Sequence, residues 1–321
     1  MKTALVTGAG GFVGQWLCRA LLRDGWQVTG TTIGEPPAAG VLAPDELRQI
    51  RWRSIDLRSG EDRRTLGGLL DRELPDAVFH LAAIAFVPAA GSDPMRALDT
   101  NVTAAVRLVE ALRSHRAAGT LDATLLVIGS AEQYGRHDAA RALTEDDDLR
   151  PRTFYAATKC AQEAFALAAA RAEALRVIAT RSFNHSGRGQ APDFLLPSLV
   201  RRSLAARANP DARVTIGNVD TVRDFLHVED VVSAYISLVE RGRPGEVYNV
   251  SSGEGVTVGA IAAEVLARAG VTGPLVVEES LRRSVDVPFL VGDNSKLRAD
   301  TGWQPTRTRT AIIDDLLNAA P

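Results

Sequence analysis

The amino-acid sequence predicts an α/β protein built on a doubly wound parallel sheet, with a smaller α/β portion towards the C-terminus. Three observations predict it. Short apolar runs alternate with amphipathic stretches over residues 1–181, as strands covered by helices on both faces require. The first run, Ala4-Leu5-Val6, leads into glycines at Gly8, Gly11 and Gly14, then into an amphipathic segment carrying Phe12, Val13, Trp16, Leu17 and Leu21. The 321 residues, 45% hydrophobic and 24% charged, can bury a large core with a subdomain attached.

A strand, a glycine turn and a helix in that order form the opening of a dinucleotide-binding βαβ unit, which makes the sheet Rossmann-type. Glycine is required where a Cβ would block the turn or the approach of backbone N–H groups to a pyrophosphate. The helix that follows turns its partial positive charge towards that anion. Gly8, Gly11, Phe12, Val13 and Gly14 are therefore candidate cofactor-binding residues. Their spacing is Gly-x-x-Gly-x-x-Gly.

Composition excludes several other classes. A net charge of −2 implies no broad basic face for nucleic acid or a membrane surface, so an anionic substrate must be met by local arginines. No apolar run is long enough to span a bilayer, and glycines interrupt the N-terminus before a signal-like stretch develops, so a cytoplasmic enzyme is expected. Cys18 and Cys160 have no metal or redox spacing and read as reduced thiols. His80 has no second ligand at suitable spacing and reads as a core histidine, so no metal site is expected.

Residues 27–31 form the second strand. Its end, near Thr32, meets the adenosine ribose, where an acid selects NAD and an arginine accepts the 2′-phosphate of NADP. Thr31, Thr32 and Ile33 offer neither, which leans towards NADP and leaves NAD open. Residues 34–44 read as a Pro/Gly/Ala loop. The third strand, 51–56, ends in Asp56-Leu57 at the expected adenine position. A helix over 61–73 precedes the fourth strand, 76–81, whose exit through Leu81, Ala82 and Ala83 lets backbone lie against the cofactor. One long helix is expected over 93–117. The fifth strand, 123–129, delivers Ser130 and Glu132 to the carboxyl edge of the sheet, where ligands bind. Residues 144–149 read as a solvated acidic turn.

The chemical pair follows. Tyr155 and Lys159, four residues apart on a helix running to about residue 174, share one face. With four tyrosines and three lysines in the chain, a chance Tyr-x-x-x-Lys is expected only about 0.04 times. A free phenol titrates near pH ~10. A neighbouring ammonium favours the phenolate, and Ser130 can hydrogen-bond the same substrate oxygen. Because arginine supplies nearly all the positive charge, a lysine here marks chemistry that arginine cannot perform. Residues 177–181 form the sixth strand. Beyond it come a glycine-rich bend over 182–190, a helix with Arg201, Arg202 and Arg207 on a solvated face, a short strand and a turn over 215–220 and 223–228, a helix over 231–240, a strand over 246–250 and a helix over 256–269. The dinucleotide-binding part is assigned to 1–181 with a return segment at about 218–250, and the substrate-binding part mainly to 182–321.

Gly8/Gly11/Gly14, His80-Leu-Ala-Ala83, Asn101, Ser130 with Tyr155 and Lys159, Phe183-Asn184-His185, Arg223-Asp224-Phe225 and Gly302-Trp303 together resemble the extended short-chain dehydrogenases/reductases that modify nucleotide sugars. The resemblance covers nearly the whole chain. It implies NAD(P)H-dependent reduction of the 4-keto group of a nucleoside-diphosphate 4-keto-6-deoxy sugar, GDP-linked, with a 4,6-dehydratase or 4-epimerase holding tightly bound NAD as the alternative. It further implies that Asn101 lies at the cofactor, that Glu132 contacts the sugar, that Asn184 binds the sugar nucleotide, that Arg223 and Arg283 bind its diphosphate or ribose, and that helices around 93–117 and 153–173 form a homodimer. Two departures stand out. Ala131 occupies the place where a dehydratase carries the acid or serine partner of its glutamate, and Ile84-Ala85-Phe86-Val87 is apolar where relatives are polar.

Overall fold

In a computed structural model, residues 1–59, 62–137, 140–209, 213–281 and 287–319 are described. The chain begins with β1 (Thr3–Thr7), α1 (Phe12–Arg23), β2 (Gln27–Thr32), α2 (Pro44–Gln49), β3 (Arg51–Ser54), α3 (Asp62–Glu73) and β4 (Ala77–His80). It continues through α4 (Val87–Ser92), α5 (Pro94–Leu98), one π-helical turn (Asp99–Thr103), α6 (Ala104–Ala117), β5 (Thr124–Ser130), α7 (Phe154–Glu173) and β6 (Val177–Ser182). The second half holds β7 (Asn184–Ser186), α8 (Leu195–Ala208), β8 (Val214–Ile216), β9 (Val222–His227), α9 (Val228–Arg241) and β10 (Val247–Val250). It closes with β11 (Gly255–Thr257), α10 (Val258–Arg268), β12 (Leu275–Val277), β13 (Phe289–Leu290), α11 (Ser295–Thr301) and α12 (Arg309–Ala319).

The main sheet is seven-stranded and parallel throughout, in the order β10-β6-β5-β4-β1-β2-β3. Its central strands carry buried residues on both faces because helices cover both. Trp16, Leu17 and Leu21 of α1 pack with Val231, Tyr235 and Leu238 of α9 on one side. Leu66, Leu69 and Leu70 of α3 pack with Leu108 and Leu112 of α6 and Ala166 of α7 on the other. Strand order reverses between β1 and β4, and that switch point opens a crevice at the carboxyl edge. The small lobe has its own core, where Leu196 and Leu199 of α8 meet Ile261 and Val265 of α10 and Ile312 of α12. A four-stranded sheet carries β9 between β11 and β13, with β7 also paired to β9.

Three local expectations change. The single helix over 93–117 is interrupted by the π turn at Asp99–Thr103, and α4 precedes it. The loop over 34–44 runs into α2, which starts because Pro44 occupies its first turn and Glu46 turns back to accept from Ala43 N at 2.8 Å. The helix expected from 256 starts at Val258, because residues 255–257 pair antiparallel with β9. Thr257 then caps it, its Oγ1 accepting from Ala260 N at 3.1 Å.

Candidate active site

The crevice floor is the turn between β1 and α1. Gly8 has φ +69°, and a Cβ there would lie 2.9 Å from Ala82 N. A Cβ on Gly14 would lie 2.3 Å from Gly8 O, so α1 sits directly on the turn. Gly11 caps α1 with no side-chain acceptor, so the first-turn N–H groups, those of Phe12 and Val13 among them, keep their hydrogen-bonding capacity for an anion. These residues fit a dinucleotide pyrophosphate. The Thr7 hydroxyl accepts from Ala82 N (3.3 Å), which directs its proton to His80 Nδ1 (2.8 Å). Burial pushes His80 down to about 3, so the ring is neutral and fastens β4 to β1.

At the adenosine end Thr32 Oγ1 donates to Gly34 O (2.8 Å), and Gly34 N donates to Ser54 Oγ (3.2 Å). Asp56, just beyond β3, is gripped by Arg58 through Nε (2.9 Å) and Nη2 (2.7 Å), which holds the carboxyl below its ordinary value. Arg58 was not singled out from sequence, although its position two residues after Asp56 was the available signal. Leu57 is buried and its carbonyl accepts from Arg107 Nη1 (3.1 Å). Asn101 lies in the wall of this groove. It is fully buried in the π turn, its Oδ1 accepting from Ile84 N (2.8 Å) and its Nδ2 donating to Thr158 Oγ1 (2.9 Å). The π turn aims that amide at the loop leaving β4, so Asn101 fastens the groove wall to α7 and its polar atoms are used within the protein.

The candidate catalytic side chains Ser130, Tyr155 and Lys159 converge on the ends of β5 and α7. Ser130 N donates to Gln133 Oε1 (2.8 Å), and Ser130 Oγ accepts from Glu132 N (3.2 Å). The hydroxyl proton of Ser130 is thereby left for Tyr155, whose phenol it favours in the ionised form. Thr153 caps α7 through Ala156 N (3.1 Å) and sets Tyr155 in the first turn. Tyr155 is 7% exposed; burial pushes its phenol up to about 12, and the charge of Glu132 adds to that rise. Lys159 donates to Ile128 O (2.8 Å) and Gln162 Oε1 (2.9 Å), and burial pushes it down to about 7. The expectation that the ammonium lowers the phenol is thus corrected for this structure. Desolvation dominates both groups, and Lys159 is aimed at a carbonyl and an amide.

On the substrate side Asn184 leads β7, its Nδ2 donating to Asp224 O (3.3 Å). Arg223 on β9 donates through Nη1 to Val287 O (2.6 Å). Asn184 lies two residues past Ser182, the strand partner of Ser130, so the small sheet begins beside the reacting end. His185 stacks on Phe12 at 6.3 Å, joining this segment to the glycine turn. Arg283 lies outside the described residues. Residues 144–149 are more than a solvated turn, because Glu145 is partly buried and accepts from Asn249 N (2.7 Å).

This combination of turn, tyrosine–lysine helix and seven-stranded sheet can be set beside known proteins. Residues 5–316 match the family described as GDP-mannose 4,6 dehydratase. The chain belongs to that family. It has the architecture of the extended short-chain dehydrogenases/reductases, NAD(P)-dependent enzymes of nucleotide sugars. It is 33% identical over 307 residues to GDP-6-deoxy-D-mannose reductase of Pseudomonas aeruginosa, covering 94% of this chain and 92% of that one. It is 29% identical over 309 residues to dTDP-glucose 4,6-dehydratase of Streptomyces griseus, covering 94% and 88%. The solved structure of RMD from Pseudomonas aeruginosa complexed with NADPH superposes with a TM-score of 0.81 at 32% identity, covering 99% of this chain and 98% of that one.

Proposed function

We propose that this protein uses NADPH, in preference to NADH, to reduce the 4-keto group of a 4-keto-6-deoxy sugar carried on a nucleoside diphosphate, with guanine as the base. The observation that carries the reading is a buried phenol beside Ser130, with Ala131 and not an acid between Ser130 and Glu132. A ketone reduction begins with Tyr155 protonated, and burial keeps it so. A dehydratase or epimerase begins by removing a hydroxyl proton, which needs the phenolate. The cofactor, when bound, supplies the hydride. Ser130 donates to the carbonyl oxygen and Tyr155 gives its proton to the alkoxide. Lys159 holds the nicotinamide ribose, and Glu132 contacts the sugar. Asn184, Arg223 and Arg283 bind the nucleotide, and Gly8 to Gly14, Thr32, Asp56, Leu57 and Leu81 to Ala83 line the cofactor groove. Residues 1–181 with the return at about 218–250 serve as the dinucleotide part, and 182–321 mainly as the substrate part.

The alternative, a 4,6-dehydratase or 4-epimerase recycling tightly bound NAD, draws on the retained Glu132. One experiment separates the two. Purified protein is given GDP-4-keto-6-deoxymannose with NADPH or NADH, and reduced-nicotinamide absorbance is followed. The expected result is oxidation in proportion to substrate, faster with NADPH. No oxidation, with NAD released on denaturation, overturns the reductase.

We further propose a cytoplasmic homodimer. Two free thiols accord with a reducing compartment, and among the described residues no helix is long and apolar enough to cross a membrane. Met95 and Leu98 on α5, with Phe154 and Phe165 on α7, leave exposed apolar surface for a second copy to cover.

A further inference from the structure

Behind Ser130 runs a buried polar chain that no step above uses. Gln133 Oε1 accepts from Ser130 N (2.8 Å), and Gln133 Nε2 donates to Glu163 Oε2 (2.7 Å). Glu163 is gripped by Arg181 on both oxygens, through Nη2 at 2.7 Å and Nε at 3.1 Å, with both side chains 7% exposed. Arg181 Nη1 donates to the Tyr134 hydroxyl (3.1 Å), which donates to Asn249 Oδ1 (2.7 Å). Glutamine amides can normally be turned over, but this one has a single satisfactory orientation. Flipped, its NH₂ would face the Ser130 N–H, and its oxygen would face a carboxylate. Arg181 holds both oxygens of Glu163 in place, and Glu163 accordingly sets which end of Gln133 meets Ser130.

We infer that Gln133, locked by Glu163 and Arg181, is a positioning residue that holds Ser130 so that its hydroxyl proton points to the oxygen shared by Tyr155 and the substrate. This rests on the reading that Ser130 orients the carbonyl. The consequence is specific: Gln133 acts through Ser130, so its contribution vanishes when the Ser130 hydroxyl is absent.

The test is a double-mutant cycle of Gln133→Met with Ser130→Ala. Gln133→Met keeps volume and removes the acceptor. It is expected to lower kcat for keto-sugar reduction by roughly 10- to 100-fold, the cost of a displaced catalytic group, with KM for NADPH within about twofold. In the Ser130→Ala background the same change is expected to cost no more than about twofold. A second readout needs neither substrate nor turnover. The Tyr155 Cζ resonance in ¹³C-tyrosine-labelled protein, assigned with Tyr155→Phe, shifts on Ser130→Ala and is expected to shift in the same direction on Gln133→Met, with no further shift in the double variant. If Gln133→Met fails to fold, Glu163→Gln takes its place. That variant leaves one oxygen to serve both Arg181 and Gln133, so the lock is lost. Additive losses in the cycle, or a Tyr155 resonance indifferent to Gln133→Met and Glu163→Gln, overturn the inference. Wild-type protein that does not oxidise NADPH with the keto sugar overturns the proposed reaction instead, and leaves the resonance test to decide the positioning role.

Discussion

The two ends of the cofactor groove are built by different means. At the reacting end, hydrogen bonds reach across the fold: Gln133 to Glu163 spans 30 positions, and Lys159 to Ile128 spans 31. Tyr155 and Lys159 are each less than a tenth exposed, and the neighbours that orient them come from β5 and α7. At the adenosine end, Arg58 binds Asp56 two positions away, Thr32 bonds Gly34 two positions away, and both Asp56 and Arg58 are about one-third exposed. Long-range burial fixes geometry and shifts ionisation, as proton transfer demands. Short local turns hold a shape that a few substitutions can change. On the proposed reading, the reaction draws on the fold as a whole, while cofactor choice draws on one loop.

If that contrast holds, injuries at the reacting end are the larger. Tyr155→Phe removes the proton donor and should lower kcat by about 10³-fold, within the span of general-acid effects, while the NADPH Kd measured by fluorescence stays within about threefold. Substantial residual turnover would show that another group protonates the alkoxide. Gly14→Ala attacks the groove where the two ends meet. Its Cβ has 2.3 Å to Gly8 O, and backbone on both sides leaves little room to yield. NADPH affinity should fall about 100-fold, about 2.7 kcal/mol, with a lowered melting temperature. An unaltered Kd would mean that the turn is not the pyrophosphate site. At the adenosine end the effect is smaller and selective. Arg58→Ala should weaken NADPH about tenfold and leave NADH unchanged, as expected if the guanidinium leaves Asp56 for the 2′-phosphate. Equal losses for both cofactors would assign Arg58 to the adenine or to the loop alone.

The same contrast explains what was legible in the sequence. Gly8 to Gly14 and the Tyr155/Lys159 pair are local patterns, a turn and one helical face, so spacing alone placed them. The parallel sheet was legible because its central strands β1, β4 and β5 carry apolar runs, as burial on both faces requires. Gln133, Glu163 and Arg181 were not legible, because nothing within a few residues of any one of them indicates the others. Asn101 shows a subtler gap. A π turn re-aims its amide by one residue, and no periodicity reports that before the fold is known. α2 depended on Glu46 turning back on Ala43, a side-chain event within what composition describes as a loop.

Lys159 provides the gentlest test, because it asks what burial does and not what deletion does. Burial holds its folded value near 7 against an ordinary 10.5. Between those values the unfolded chain carries a proton that the folded chain lacks, so this group makes stability rise with pH across that window. Below about 7 both states carry the proton and its contribution levels off at an unfavourable constant. Cofactor binding works against the burial, because an anionic ligand favours the ammonium. NADPH should therefore bind with uptake of a fraction of a proton at about pH 8, and its affinity should fall about fivefold from pH 7 to pH 8. Calorimetry in two buffers of different ionisation enthalpy measures the uptake directly, and Lys159→Met should abolish it. Binding without proton exchange would place the Lys159 ammonium beyond the cofactor's field. Burial at the reacting end would then leave ionisation uncoupled from the cofactor, and the contrast between the two ends would fail at its central residue.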